Sequence, residues 1–166
     1  MFRILSGLAL AAVSGAAIAQ TPAWQFYDPG NGTLQAFVIA ADGTQLILKC
    51  DQPGKRKVFA VVVNNSSLAP PLSDDKFESG PVIFRVDEGA PQNDNWRFND
   101  KFAMAVNQGN VRSLTRLLEQ IDGGNTVEVR LKPVGRTETA LKFDVAGARE
   151  AIDKVYTACK DESPLG

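Results

Sequence analysis

Two cysteines, three pairs of carboxylates and one segment with arginine and tryptophan could do chemistry in this chain of 166 residues. The sequence contains no histidine. That absence removes Ser-His-Asp and Cys-His catalysis and the commonest metal ligand. Zinc would have to be bound by two cysteines together with carboxylates, which is an uncommon ligand set. We therefore expect no catalytic residue, no metal site and no cofactor.

The carboxylate pairs are the remaining route to an enzyme, because two acids suffice for glycoside hydrolysis. They are Asp74-Asp75, Asp87-Glu88, and Asp94 with Asp100. Asp is also common in turns, where its side chain bonds the local backbone. We favour the turn interpretation and keep a carboxylate-based hydrolase of envelope glycan as an alternative function.

The segment FRVDEGAPQNDNWRFND, residues 84–100, is the candidate for binding a small molecule or a glycan. In a binding site, aromatic stacking would combine with guanidinium and carboxylate recognition. In the interpretation that we favour, Trp96 and Phe98 lie in the core on alternating strand positions, and Arg85 pairs with a local carboxylate. The candidate binding residues are Arg85, Asp87, Trp96 and Arg97.

The first 19 residues have the features of a secretory signal peptide. Arg3 supplies a positive charge, residues 4–13 form a short apolar run, and Ala17-Ile18-Ala19 is a cleavage site. We expect cleavage after Ala19, which leaves residues 20–166 as one exported domain, periplasmic or secreted in a bacterium. No later segment is apolar for long enough to span a membrane.

The charge of the exported domain disfavours two classes of partner. Without Arg3, the domain keeps 17 of the 18 basic residues against 19 acidic ones, a net charge of about −2. Nucleic acids and anionic membrane surfaces select for a basic excess. We therefore expect no nucleic acid partner.

Cys50 and Cys159 are expected to form a disulfide. Each falls on the apolar face of its own element, and neither has a C-x-x-C neighbour or a charge partner that would lower a thiol pKa. In an exported chain with two cysteines, a disulfide is the default. The bridge would enclose roughly 100 residues and stabilise the fold by up to about 4–5 kcal/mol in the chain-entropy model.

Short alternating apolar runs, bounded by Gly, Pro, Asn and Asp, predict strands. Asp42-Gly43 joins the first two strands as a hairpin, and residues 133–136 join the last two. The run 57–63 is apolar at nearly every position, so we expect burial on both of its faces. The predicted strands cover residues 34–40, 44–50, 57–63, 81–87, 101–106, 126–132 and 137–144.

Two helices are also predicted. The first is expected to have Asn110 as its N-cap, to reach Ile121, and to bury Val111 with its leucines. The second is expected to begin near Asp144, whose carboxylate would accept first-turn amides. Its apolar face consists of Ala148, Ile152, Val155 and Cys159.

These elements predict a mainly β fold. The expected architecture is a β-sandwich or a curved antiparallel sheet with two helices, one of them C-terminal, and α+β is the alternative class. Trp24, just after the cleavage site, is expected to dock the first strand.

The ending ALKFDVAGAREAIDKVYTAC resembles the close of the invasion-associated locus B group and of related small periplasmic proteins associated with type VI secretion. In that pattern a Phe-containing strand leads through a polar residue into a helix of the form G-x-x-x-A-[IL]-x-x-[IVL]. LILKCDQPGKRKVFAVV and VIFRVDEGAPQNDNW are similar to its upstream part. The resemblance implies a compact β-sandwich-like periplasmic domain with a terminal helix, of a kind that usually has no known catalytic residue. The invasion-associated members carry further internal cysteines, which this sequence lacks.

We therefore expect a non-enzymatic exported protein that binds a protein partner in the cell envelope. The glycan hydrolase and a small-molecule or glycan binding module remain the alternatives. The expectation depends on the signal peptide, on the missing histidine and on the structural character of the motifs.

Overall fold

The computed structural model describes residues 23–54, 57–73 and 76–166. The predicted signal peptide and the pair Asp74-Asp75 lie outside these ranges. The helices are α1 (Ser113–Ile121) and α2 (Ala148–Cys159). The strands are β1 (Gln25–Tyr27), β2 (Gln35–Ile39), β3 (Gln45–Lys49), β4 (Phe59–Val63), β5 (Glu78–Val86), β6 (Gln92–Asn99), β7 (Phe102–Ala105), β8 (Asn107–Gln108), β9 (Val111–Arg112), β10 (Thr126–Leu131) and β11 (Thr139–Asp144).

Nine of these strands form one antiparallel sheet in the order β1-β2-β3-β4-β7-β6-β5-β10-β11, and β8 pairs with β9. Strand β11 contacts β2, so the sheet curves until its two ends approach each other. Trp24 joins these ends, because its Nε1 donates a hydrogen bond to the Val145 carbonyl over 3.1 Å. The predicted mainly β fold, with a curved antiparallel sheet and a C-terminal helix, is confirmed.

The core lies between the two helices and the inner face of the curved sheet. Helix α1 packs on β5, β6 and β7, and α2 packs on β2 and β3. Alternating residues of β2 to β7, β10 and β11 point inward, so these strands contribute side chains to one cluster. The largest fully buried side chains on the strands are those of Trp96, Phe84, Phe98 and Phe143.

The predicted hairpin signals are confirmed. Strands β2 and β3 pair across a turn in which Gly43 has a φ of 87°, a backbone conformation that favours glycine. The Asp42 carboxylate accepts the Thr44 amide over 2.9 Å. Strand β4 is buried on both faces at its centre, from Ala60 to Val62, as its continuous apolar run predicted.

The predicted start of the first helix is wrong. Helix α1 begins at Ser113, and Val111 lies in β9 with 49% of its surface exposed. Asn110 does not cap it. Instead, the Asn107 side chain accepts the Thr115 amide over 3.1 Å and donates to the Thr115 hydroxyl over 2.8 Å. Asn107, which lies in strand β8, therefore accepts the free Thr115 amide of the first turn. The residues next to the helix start could not predict this contact.

The predicted start of the second helix is also wrong, by about one turn. Asp144 ends β11, and its carboxylate accepts the amide of Ala146, two residues further on. This bond forms a local turn, and α2 then begins at Ala148 after Gly147, which has a φ of 80°. The predicted apolar face is confirmed, because Ala148, Ile152, Val155 and Cys159 are all buried.

The predicted disulfide between Cys50 and Cys159 is confirmed. The two Cα atoms lie 6.0 Å apart, and the bond closes a loop with a sequence separation of 109 residues. Structural disulfides persist in oxidising compartments, so the bond indicates a location outside the cytoplasm. No helix among the described residues is long and apolar enough to cross a membrane.

We predict that reducing this disulfide lowers the free energy of unfolding by about 2–5 kcal/mol, because the unfolded chain regains the entropy of an open loop. Urea unfolding with and without reductant measures the change. The double variant Cys50→Ala/Cys159→Ala is the control and should be insensitive to reductant. Two free thiols in the denatured, non-reduced protein would contradict the prediction.

Candidate functional site

The sheet face opposite the helices, here called the outer face, is mainly apolar over four adjacent strands, with Gln35, Gln45 and Lys49 as its polar positions. Cross-strand neighbours on one face lie about 4.5–5.5 Å apart, so a registered row forms a continuous surface. We call the outer-face residues of β2, β3, β4 and β7 the apolar half. One row across it is Phe37, Ile47, Val61 and Met104, and a second is Ile39, Gln45, Val63 and Phe102.

Two large side chains of the apolar half remain open to solvent. Ile39 is 45% exposed and Phe102 is 43% exposed. Phe77, next to the same surface, is 41% exposed. Contiguous apolar surface of this kind marks an interaction site more often than scattered apolar residues do.

The other end of the same face has a different character. We call the outer-face residues of β5, β10 and β11 the charged half. Its registered row is Arg85, Glu128 and Lys142, and Arg130 lies in the adjacent row beside Ile83. The charged half therefore has the alternation of an antiparallel sheet that faces water.

A groove of about 560 Å³ lies at the edge of the apolar half, and we call it the Arg97 groove. Its apolar lining comes from Val58 and Phe59 at the start of β4, from Phe77, and from Met104 and Val106 around the end of β7. The polar residues that line it are Asp51, Lys57, Arg97, Asn107 and Gln108.

Arg97 is oriented by an aromatic ring. Its guanidinium lies over Phe77, with 4.1 Å between Cζ and the ring centroid. Stacking of this kind pre-organises the planar donor fork. Among the described residues, no carboxylate lies within ion-pair distance of Arg97.

One wall of the groove is attached to the end of helix α2. The Asp161 carboxylate accepts hydrogen bonds from the Lys57 ammonium over 2.7 Å and from the Val58 amide over 3.0 Å. The Gly54 amide donates to the Cys159 carbonyl over 2.8 Å. Together with the disulfide, these bonds hold Gly54, Lys57 and Val58 against the end of α2.

This arrangement shifts two pKa values. Burial alone would raise the pKa of Asp161, but hydrogen bonds from Lys57, Val58 and Glu162 outweigh it and lower that pKa. The same bond to Asp161 raises the pKa of Lys57, so the pair is charged at neutral pH.

The structure does not bring the four candidate binding residues into one site. Trp96 is buried in the core, 6.5 Å from Phe84 between ring centroids, and its indole N–H has no acceptor among the described residues. Arg85 lies on the charged half and pairs with Glu128 over 2.7 Å. Arg97 alone among the four lines the groove.

Asp87 has a structural role at the end of β5. Its φ is 47°, and its carboxylate accepts the backbone amides of Thr126, over 2.8 Å, and Asn125, over 3.1 Å. These bonds lower the pKa of Asp87. A general acid in glycoside hydrolysis needs a raised pKa, so this carboxylate is poorly suited to that role.

Asp94 is likewise engaged within the fold. It is buried, accepts a hydrogen bond from the Ser113 hydroxyl over 3.0 Å, and forms an ion pair with Arg116. These contacts attach α1 to β6. The carboxylates of Asp87 and Asp94 therefore hold structural elements together, and neither lines the groove.

Sequence reasoning missed most of the groove. Phe59, Phe77 and Met104 were not recognised as site residues, because Phe77 lies in a loop-like segment and the others read as ordinary strand positions. The sequence signal for an apolar outer face was the run 57–63. Successive side chains of a strand point to opposite faces, so a strand that is apolar at nearly every position places apolar side chains on the outer face as well.

No protein-family model, no curated protein and no solved structure matches the chain significantly.

We predict that Asp161→Asn lowers the free energy of unfolding by about 1 kcal/mol at pH 7, because the neutral amide no longer attracts Lys57. The folded-state pKa of Asp161 is lowered, so its stabilisation is present above the ordinary carboxyl pKa and is lost as pH falls through the folded value. The difference between variant and wild type should therefore shrink below about pH 4.

Urea unfolding at a series of pH values measures this difference. Glu162→Gln, which removes the next carboxylate along the chain, is the matched control and should change stability by less than about 0.5 kcal/mol. A constant difference between wild type and Asp161→Asn from pH 7 to pH 3 would count against the assignment.

Proposed function

We propose that this chain is an exported, non-enzymatic protein that binds a protein partner of the cell envelope through the apolar half of its outer face. The observation that carries the proposal is the contrast between the two ends of one sheet face. The charged half has a row of Arg85, Glu128 and Lys142, whereas the apolar half has rows dominated by aliphatic and aromatic side chains.

The dimensions of the apolar half favour a protein over a small ligand. Adjacent strands lie about 4.7–4.9 Å apart, so the four strands from β2 to β7 span roughly 14 Å. That breadth suits a complementary apolar surface on another protein. Met104 lies between the Arg97 groove and a second depression of about 370 Å³ that Phe102 also lines, and methionine adapts its shape to a partner.

The charge of Arg97 also supports a protein partner. Arg97 borders the apolar half and lacks an ion-pair partner among the described residues, so it can receive a carboxylate from the rim of a partner. The disulfide supports an oxidising compartment, and the resemblance of the closing segment to small periplasmic proteins supports the envelope.

We predict that a photo-crosslinking phenylalanine analogue at Ile39 gives a discrete protein adduct in the cells that export the chain. The same analogue at Lys142, on the charged half, should give none. Adding Phe102→Lys to the Ile39 probe should reduce the adduct about tenfold, because a charge would be buried at the contact. Adduct intensity on a denaturing gel is the measurement.

Two outcomes would contradict the proposal. Equal crosslinking from Ile39 and Lys142 would show non-specific contact. An adduct with twice the mass of the chain would show that a second copy covers the apolar half. Circular dichroism and thermal unfolding of Phe102→Lys should match the wild type, so that loss of the adduct reports on docking and not on folding.

A further inference from the structure

We propose that the Arg97 groove binds a small amphipathic anion, namely a single alkyl chain that carries one carboxylate or phosphate head. This site goes beyond the protein-docking function, because its ligand is a small molecule. The groove shares Phe59 and Met104 with the apolar half, and Arg97 pairs with Met104 across β6 and β7, so a bound anion would compete with a partner's carboxylate for Arg97. The argument uses the shape, the lining and the charge of the groove.

The shape and lining suit an apolar body. Ligand sites are concave, typically about 300–1,000 Å³ and mainly apolar, with a few placed polar groups. The groove has a volume of about 560 Å³. Its apolar surface is supplied by Phe59, Phe77, Met104 and Val106, with two aromatic rings among them.

The charge of the groove selects the head group. Arg97 is half-buried, stacked on Phe77 at 4.1 Å, and has no ion-pair partner among the described residues. A guanidinium presents donors that match two oxygens of a carboxylate or a phosphate. Because Arg97 is one cation without an ion-pair partner among the described residues, it matches a head group with a single centre of negative charge.

Three other polar residues of the groove, Asp51, Lys57 and Asn107, have partners within the protein. Lys57 donates to Asp161 over 2.7 Å, and Lys49 pairs with Asp51 over 3.2 Å. The Asn107 side chain bonds Thr115 in both directions. Arg97 is therefore the cation of the groove that pairs with no carboxylate among the described residues, so a ligand can engage its donors without breaking an ion pair of the fold.

The test is isothermal titration calorimetry of the purified protein with dodecanoate below its micelle concentration. Dodecyl phosphate, dodecanol and dodecyltrimethylammonium are the comparison probes. We expect saturable binding of one or both anions and at least about tenfold weaker binding of the neutral and cationic probes. The tighter anion distinguishes a fatty-acid head from a phosphate head.

Arg97→Gln should weaken anion binding about tenfold and leave dodecanol binding unchanged. Phe77→Ala, an exposed position, should weaken it less, because it removes the stacking ring and part of the wall but keeps the charge. Arg130→Gln removes an exposed arginine from the charged half of the same face, and this matched control should leave binding unchanged. Thermal unfolding of each variant checks that the fold is intact.

Equal binding of dodecanoate and dodecanol would overturn the proposal, and so would anion binding that is unaffected by Arg97→Gln. Failure of this proposal can be told apart from failure of protein docking. Ile39→Lys should abolish docking but leave dodecanoate binding intact, because Ile39 does not line the groove. Loss of dodecanoate binding in Ile39→Lys would contradict a separate anion site.

Discussion

The covalent bond between Cys50 and Cys159 is the constraint on which the closing helix and the groove both depend. It joins the end of β3 to the end of α2. Two further contacts lie close to the disulfide in the sequence. The Gly54 amide donates a hydrogen bond to the Cys159 carbonyl, and Lys57 forms an ion pair with Asp161. Because Asp51, Lys57 and Val58 lie beside these contacts and line the groove, the disulfide that closes the core also supports the candidate binding surface.

The curved sheet uses its two faces for different purposes. Its inner face is filled by alternating side chains and covered by both helices, and it forms the core cluster. Its outer face is left with two surfaces, one charged and one apolar. The side chains of the apolar half lie outside the core cluster beneath the helices.

Much of the fold could be predicted because the signals are local. The period of two residues in the strands and the Asp42-Gly43 turn depend on neighbouring residues alone, as does the apolar stripe of α2. The starts of both helices could not be predicted in this way. The first turn of helix α1 donates a hydrogen bond to Asn107, which lies in strand β8. The Asp144 carboxylate accepts a hydrogen bond within a local turn before α2 begins.

The pairing of the cysteines could be predicted from the residue types, because only two cysteines exist, and the absence of histidine excluded histidine chemistry. The sequence also predicted that β4 would be apolar on both faces. Which residues share a surface became known from the folded chain. Arg97 and Phe77 are twenty positions apart, and Phe59 and Met104 come from different strands, yet the groove contains all four. Alternation in a strand assigns side chains to two faces, but sheet order and register decide which side chains become neighbours.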